Sequence, residues 1–217
     1  ESLEASDLSV ALPTGAVLLK DAQLQARAGD SILLQGPSGS GKSTLFRSLA
    51  GIWPFATGHL HKPEDAVFLP QRPYFPDGPL RDALAYPQPA SSYSDEALRQ
   101  ALTEALLPQL VDELDTAGAW GQKLSGGEQQ RLAIARVLLR KPSWVFADEA
   151  TSALDEAAEK TLYERLLALV KSGQGALVSI AHRPSVAQFH RSRWTLVRQT
   201  EGAPARYRLT QEADRTA

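Results

Sequence analysis

The chain has 217 residues, with 23 Lys plus Arg against 25 Asp plus Glu, 43% hydrophobic residues, no Cys and no Met. This is the composition of an ordinary globular protein, not of a disordered or fibrous one, and the lack of Cys excludes disulfides, thiolate zinc sites and a Cys nucleophile. A net charge of −2 disfavours nucleic acid as a partner, because binding by counterion release needs a basic surface, and no apolar run reaches the roughly 18 residues of a membrane span.

In chain order, residues 8–12 and 17–24 read as short strands on either side of a turn at Pro13, Thr14 and Gly15. Ser31–Gln35 is a short apolar strand running into a glycine-rich loop, and a helix is expected from residue 42 to about 50, stopping near Gly51 and Pro54. Residues 55–93 hold many of the 14 prolines and read as loop, apart from strand character at Ala66–Leu69. Ser94 is placed to cap a helix through 107, with Asp95 and Glu96 suited to the positive end of its dipole. A second helix over 127–140 ends at Pro142.

From there strand and helix alternate: strand 144–147, helix 156–170, strand 176–181 and a short helix after Pro184. Apolar strands alternating with amphipathic helices imply a largely parallel sheet covered on both faces. Residues 193–199 and 206–210 read as a final pair of strands, with a frayed end after them. The fold class is therefore α/β, with residues 1–217 as a single domain. Its core comprises 1–71 and 142–217, including an N-terminal antiparallel β part, and 72–141 is an inserted α-helical subdomain. A start at Glu1 without Met or leader reads as a piece of a longer polypeptide or a processed product.

Three segments carry chemistry. Gly36-Pro37-Ser38-Gly39-Ser40-Gly41-Lys42-Ser43, followed by Thr44, meets the phosphate-loop pattern G-x-x-x-x-G-K-[ST] and lies between a strand and a helix. Glycines let successive N–H groups face phosphate oxygens at a helix N-terminus; Lys42 would reach the β and γ phosphates, and the Ser43 hydroxyl would hold Mg²⁺. Trp144 to Ala147 is an apolar strand ending in Asp148 and Glu149, where an Asp can hold Mg²⁺ and a Glu can polarise an attacking water. Ser125-Gly126-Gly127-Glu128 opens a helix and makes a second anion-binding N-terminus, which one nucleotide cannot share with a distant first.

This third segment, within Leu124 to Arg131, resembles the signature motif of ATP-binding cassette ATPases. The resemblance spans about residues 6–210 and implies a P-loop NTPase, RecA-like core. It also implies that the signature completes the ATP site of an opposite subunit, so that two copies sandwich two ATP molecules head to tail. Gln71, in Pro70-Gln71-Arg72-Pro73, resembles the family's Q-loop glutamine, which contacts Mg²⁺ and the water. Asp155, in Ser152-Ala153-Leu154-Asp155, resembles the D-loop, and His182 resembles the switch histidine at the γ-phosphate. His59, His61 and His190 fall outside the pattern and are expected at the surface.

There are two departures from the family pattern. Where the family stacks adenine on an aromatic residue, this chain has Ala11, Leu12 and Pro13, so adenine is expected against an apolar side chain with loose base selectivity. Residues 115–121 lack the Thr-x-Val-Gly-Glu stretch of many multidrug-type exporters. Trp120, Gln71 to Tyr74, Leu80-Arg81-Asp82 and Tyr86-Pro87, with Phe189-His190 after the switch, instead resemble a narrower group. That group contains peroxisomal fatty-acyl half-transporters and bacterial permease-ATPases related to antimicrobial-peptide and cobalamin uptake.

The resemblance implies an ATP-hydrolysing domain of a transporter, with ATP and Mg²⁺ as ligands and a second cassette and an N-terminally fused transmembrane domain as partners. The implied location is the cytoplasmic face of a membrane, the bacterial inner membrane in this reading. The alternatives are a soluble cassette ATPase of repair or translation and an inactive regulatory cassette. Residues 42–125 carry no sustained heptads for a repair-type coiled coil.

Overall fold

Alternating side-chain direction along the strands sorts the apolar residues into two cores. The computed structural model describes residues 1–213; the fraying expected at the end of the chain falls on 214–217, outside the described residues. β1 (Ser2–Ala11) turns into β2 (Val17–Arg27) through a tight loop closed by the Leu12 N–H on the Ala16 carbonyl at 2.8 Å. After β3 (Ser31–Gln35) and α1 (Lys42–Leu49), β4 (Ala56–His61) pairs with the other edge of β1, giving a three-stranded antiparallel sheet in the order β2-β1-β4. β4 lies in the stretch expected to be loop, and β1 begins six residues before the expected strand. The reason is local: β1 changes register between Ala5 and Leu8, with Asp7 at φ 52°. Gly58 on β4 makes room for the bulge, since a Cβ there would stand 2.5 Å from the Asp7 carbonyl oxygen.

β5 (Ala66–Leu69) is followed by β6 (Gly78–Pro79), α2 (Leu80–Ala85), α3 (Asp95–Glu104), β7 (Ala117–Gly118), α4 (Trp120–Lys123) and α5 (Gly126–Arg140). Ser94 caps α3 as expected, accepting from the Ala97 N–H at 3.1 Å. The helix stops at Glu104 rather than 107, because Leu106 turns left-handed at φ 64°. α5 ends on a left-handed Lys141 just before Pro142.

β8 (Trp144–Asp148), α6 (Glu156–Ser172), β9 (Ala176–Ile180), α7 (Pro184–Ala187), β10 (Ser192–Arg198) and β11 (Tyr207–Ala213) complete the described chain. The main sheet runs β11-β10-β3-β9-β8-β5 and is parallel except for β11. β8 and β9 are buried at every position, which is why both read as continuous apolar runs. From β3, β8 and β9, Ile32, Leu34, Phe146 and Val178 pack toward α1 and the antiparallel sheet. Leu33, Val145, Ala147 and Leu177 point the other way, into the core formed with α5 and α6. Phe46 of α1 meets Phe68 and Phe146 edge-on at 5.9 and 5.8 Å, and the full burial of the Phe46 ring contributes about 2–3 kcal/mol.

His59 and His61 are exposed on β4 as expected, but His190 is not at the surface. It is 4% exposed, with Nδ1 2.9 Å from the Val186 carbonyl and its ring edge-on to Tyr163, because the chain dips inward after α7 to enter β10. Among the described residues no helix is long and apolar enough to cross a membrane.

Candidate functional site

Parallel pairing of β3, β8 and β9 brings their C-terminal ends to one edge, with Ile180 level with both Leu34 and Asp148. The loop after β3, the carboxylates at the end of β8 and His182 just past β9 therefore meet. A cavity of about 300 Å³ opens there, lined by residues 39–44 together with Leu12, Leu18, Glu149, Ile180 and His182. Of the three residues expected near adenine, Leu12 lines this cavity, with Leu18 as a second apolar wall.

The phosphate loop is held open by its own chemistry. Gly41 has φ 93°, and a Cβ on it would lie 2.6 Å from Leu18 Cδ1, so both conformation and space require glycine. Lys42 Nζ folds back to donate to the carbonyls of Gly36 at 2.9 Å and Pro37 at 3.3 Å. Burial lowers the Lys42 pKa, with Glu149 and Asp148 pulling the other way. α1 carries no acidic residue in its first turn, leaving its N-terminus favourable to an anion. Ser40 is buried with its hydroxyl unpartnered, whereas Pro37 and Ser38 are exposed outside the cavity lining.

Asp148 is 6% exposed, and its Oδ1 has no hydrogen-bond partner. Burial raises its carboxyl pKa, and the neighbouring Ser43 hydroxyl opposes the shift. A hydroxyl and a buried carboxylate with a free oxygen form an oxygen donor set that suits a hard divalent cation, so the residues fit Mg²⁺. Glu149 stands at φ 50°, a left-handed conformation costing a non-glycine residue about 1–2 kcal/mol. It is held from both sides: its N–H donates to the Ile180 carbonyl at 2.9 Å, and its own carbonyl accepts from Gln130 Nε2 at 3.3 Å. The bend presents the carboxylate to His182, whose Nε2 lies 2.9 Å from Glu149 Oε1.

Two groups lie elsewhere. Gln71 is exposed just beyond β5, at the same sheet edge but not among the residues lining the cavity. Ser125, Gly126, Gly127 and Glu128 also do not line it. Ser125 caps α5, accepting from the Glu128 N–H at 3.2 Å, while the Glu128 carboxylate accepts from the Ser125 N–H at 3.0 Å. The Ser125 N–H holds the Glu128 carboxyl below its usual pKa. Asp155 caps α6 through the Ala158 N–H at 2.8 Å.

Sequence reasoning missed Gln130. It is 5% exposed and bridges α5 to the segment after β8: Nε2 donates to Ser152 Oγ at 2.9 Å as well as to Glu149, and Oε1 accepts from the Ala153 N–H at 2.8 Å. Its signal was a polar residue on the apolar face of α5, in line with Ala133 and Ile134.

A parallel α/β sheet whose central strand feeds a phosphate loop, facing an Asp-Glu pair at the end of the next strand but one, defines a P-loop nucleotide-binding domain. The family described as ABC transporter matches residues 19–152, more than half of the chain, and the chain belongs to that family as an ATP-binding domain. An uncharacterized ABC transporter ATP-binding protein of Synechocystis is 43% identical over 180 residues, covering 81% of this chain and 27% of that protein. The Arabidopsis thaliana ABC transporter D family member 1 is 39% identical over 203 residues, covering 87% of this chain and 15% of that protein. Human ATP-binding cassette sub-family D member 3 is 37% identical, covering 83% of this chain and 28% of that protein.

A structure of a bacterial Atm1-family ABC exporter with ATP bound superposes with a TM-score of 0.82 at 26% identity, covering 98% of this chain and 39% of that one. The chain thus spans well under two thirds of each relative. The D-family relatives agree with the narrower resemblance read around Gln71 and Trp120. None of these relatives supports a repair or translation ATPase.

Proposed function

We propose that this domain hydrolyses ATP to drive a membrane transporter, working as a head-to-tail pair of cassettes against a transmembrane domain fused on its N-terminal side. The observation that carries the reading is the division of the site. The cavity holds Lys42, Glu149 and His182, while the chain's own Ser125–Glu128 turn is elsewhere and free to complete the site of a second copy.

In this reading the loop N–H groups of 36–44 and Lys42 bind the triphosphate, Lys42 exchanging its contacts with the Gly36 and Pro37 carbonyls for phosphate oxygens. Ser43 and Asp148, with Gln71, would hold Mg²⁺, which when bound supplies charge neutralisation to the phosphates. Glu149 polarises the attacking water, and His182 orients that carboxylate and faces the γ-phosphate. Ser125, Gly126, Gly127 and Glu128 of the second copy meet the same nucleotide from its open side, with Asp155 at the seam between copies. Catalysis is then mainly positioning and electrostatic stabilisation. Residues 72–141 serve as the helical subdomain that presents the signature turn. The domain acts at the cytoplasmic face of a membrane, the bacterial inner membrane in our reading.

The test is Glu149→Gln in the full-length protein. ATP binding should be retained, ATP-dependent dimerisation should persist, and turnover should fall by about 10²–10⁴, the usual contribution of a positioned base. Turnover near that of the unsubstituted protein would remove Glu149 from this role.

A further inference from the structure

Outside the cavity a dense group of polar contacts, running from buried to half-exposed, surrounds Glu159, in the first turn of α6. The residue is 1% exposed. Its Oε2 accepts from Thr151 Oγ1 at 2.7 Å, its Oε1 accepts from Ser185 Oγ at 2.7 Å, and Arg183 Nη1 approaches Oε2 at 3.4 Å. The same guanidinium donates through Nη1 to the Leu154 carbonyl and through Nη2 to the Ser152 carbonyl, each at 2.5 Å. A buried carboxylate is costly unless its lone pairs are filled. Two hydroxyls and one guanidinium fill them here, so the group has one defined geometry.

Sequence neighbours give this knot its meaning. Thr151 and Ser152 follow closely on Glu149, and Arg183 is adjacent to His182. The His182 side chain is 55% exposed, with Glu149 as its hydrogen-bond partner. Packing does not fix such a side chain; the backbone that carries it does. That backbone is anchored by Arg183 on one side of the knot and by Ser185, in the first turn of α7, on the other.

We propose that Arg183, seated by Glu159, is a positioning residue for hydrolysis: it ties segment 151–155 to the backbone of His182 and so sets the His182–Glu149 pair. This rests on the roles of His182 and Glu149 proposed above. Arg183 does not line the cavity, so its effect belongs on turnover and not on nucleotide affinity.

In the full-length protein, Arg183→Ala should lower kcat for ATP hydrolysis by about tenfold or more while leaving the Kd for ATP within about twofold. Arg183→Lys keeps a cation near Glu159 but cannot span both carbonyls, and should recover part of the loss. Glu159→Gln, equal in size but uncharged, should reproduce the kcat loss; if Arg183→Ala does not fold, Glu159→Gln and Arg183→Lys carry the same comparison. The deciding measurement repeats the substitution in a His182→Ala background, where it should cost less than about a further twofold, because it acts through His182. A full additional loss in that background overturns the proposal while leaving His182 in place. If His182→Ala alone keeps normal turnover, the underlying reading of His182 fails and the proposal fails with it.

Discussion

Replacing Gln130 with leucine separates the stability of the domain from the poise of its site. Gln130 makes three hydrogen bonds, to Glu149, Ser152 and Ala153, each contributing about 1 kcal/mol net. Ser152 and Ala153 are exposed, so water can take up the groups that lose a partner, and the Glu149 contact is already long at 3.3 Å. A leucine of similar volume fills the space, so the fold should lose only about 1–2 kcal/mol, a fall in Tm of about 3–6 °C for a domain of this size. The site loses more. The left-handed conformation of Glu149 costs about 1–2 kcal/mol and persists only while its surroundings hold it. Released from Gln130, the residue should relax and lower the competent population by roughly tenfold. Steady-state ATPase kinetics and thermal melting of Gln130→Leu in the full-length protein should therefore show kcat down about tenfold, with ATP affinity unchanged. A kcat within twofold of the starting protein would refute the anchoring role; a fall in Tm beyond about 10 °C would show that Gln130 belongs to the core instead.

Burial, seconded by Arg193, holds the His190 pKa down to about 4, against about 6.5 in the unfolded chain. Below pH 6.5 the unfolded chain takes up a proton that the folded one refuses. Stability should be complete above about pH 6.5 and decline by up to about 3 kcal/mol as pH falls toward 4. His190→Phe should flatten that stretch of a Tm-against-pH profile, and an unchanged slope would assign the acid sensitivity to other groups. Gly41→Ala should weaken ATP binding, measured by titration calorimetry, by about tenfold or more, through both its positive φ and its collision with Leu18. Adding Leu18→Ala removes the collision but not the backbone strain, so rescue should be partial; complete rescue would show that space alone matters.

What could be read in advance was contiguous. The phosphate loop, the buried run of β8 ending in Asp148 and Glu149, and the Ser125 turn each carry their chemistry within about eight residues, and the fold brings the first two together as expected. β4 was hidden because Ala-Thr-Gly-His-Leu-His is mostly exposed and carries almost no apolar alternation. The early start of β1 was hidden because its bulge breaks the period at Asp7. His190 was misplaced because its burial depends on α6 and α7 packing around it, through Tyr163 and Val186. Gln130, Glu159 and Arg183 draw their roles from partners on other elements, and no local pattern announces such pairings.

The central place of β3 has a consequence for how the protein is made. Its two neighbours, β9 and β10, both come from the far end of the chain, so Ser31 pairs with Leu177 and Ile32 with Ser192. On a ribosome adding about 5–20 residues each second, the nucleotide loop would emerge roughly 7–30 s before the strands that wall it in. During that interval Ser-Ile-Leu-Leu-Gln is a short apolar strand with both edges unpaired, the kind of segment that invites wrong partners. The first motif to be synthesised is thus among the last to become a site, and the onset of ATP binding by a nascent chain would mark the moment the C-terminal strands have docked.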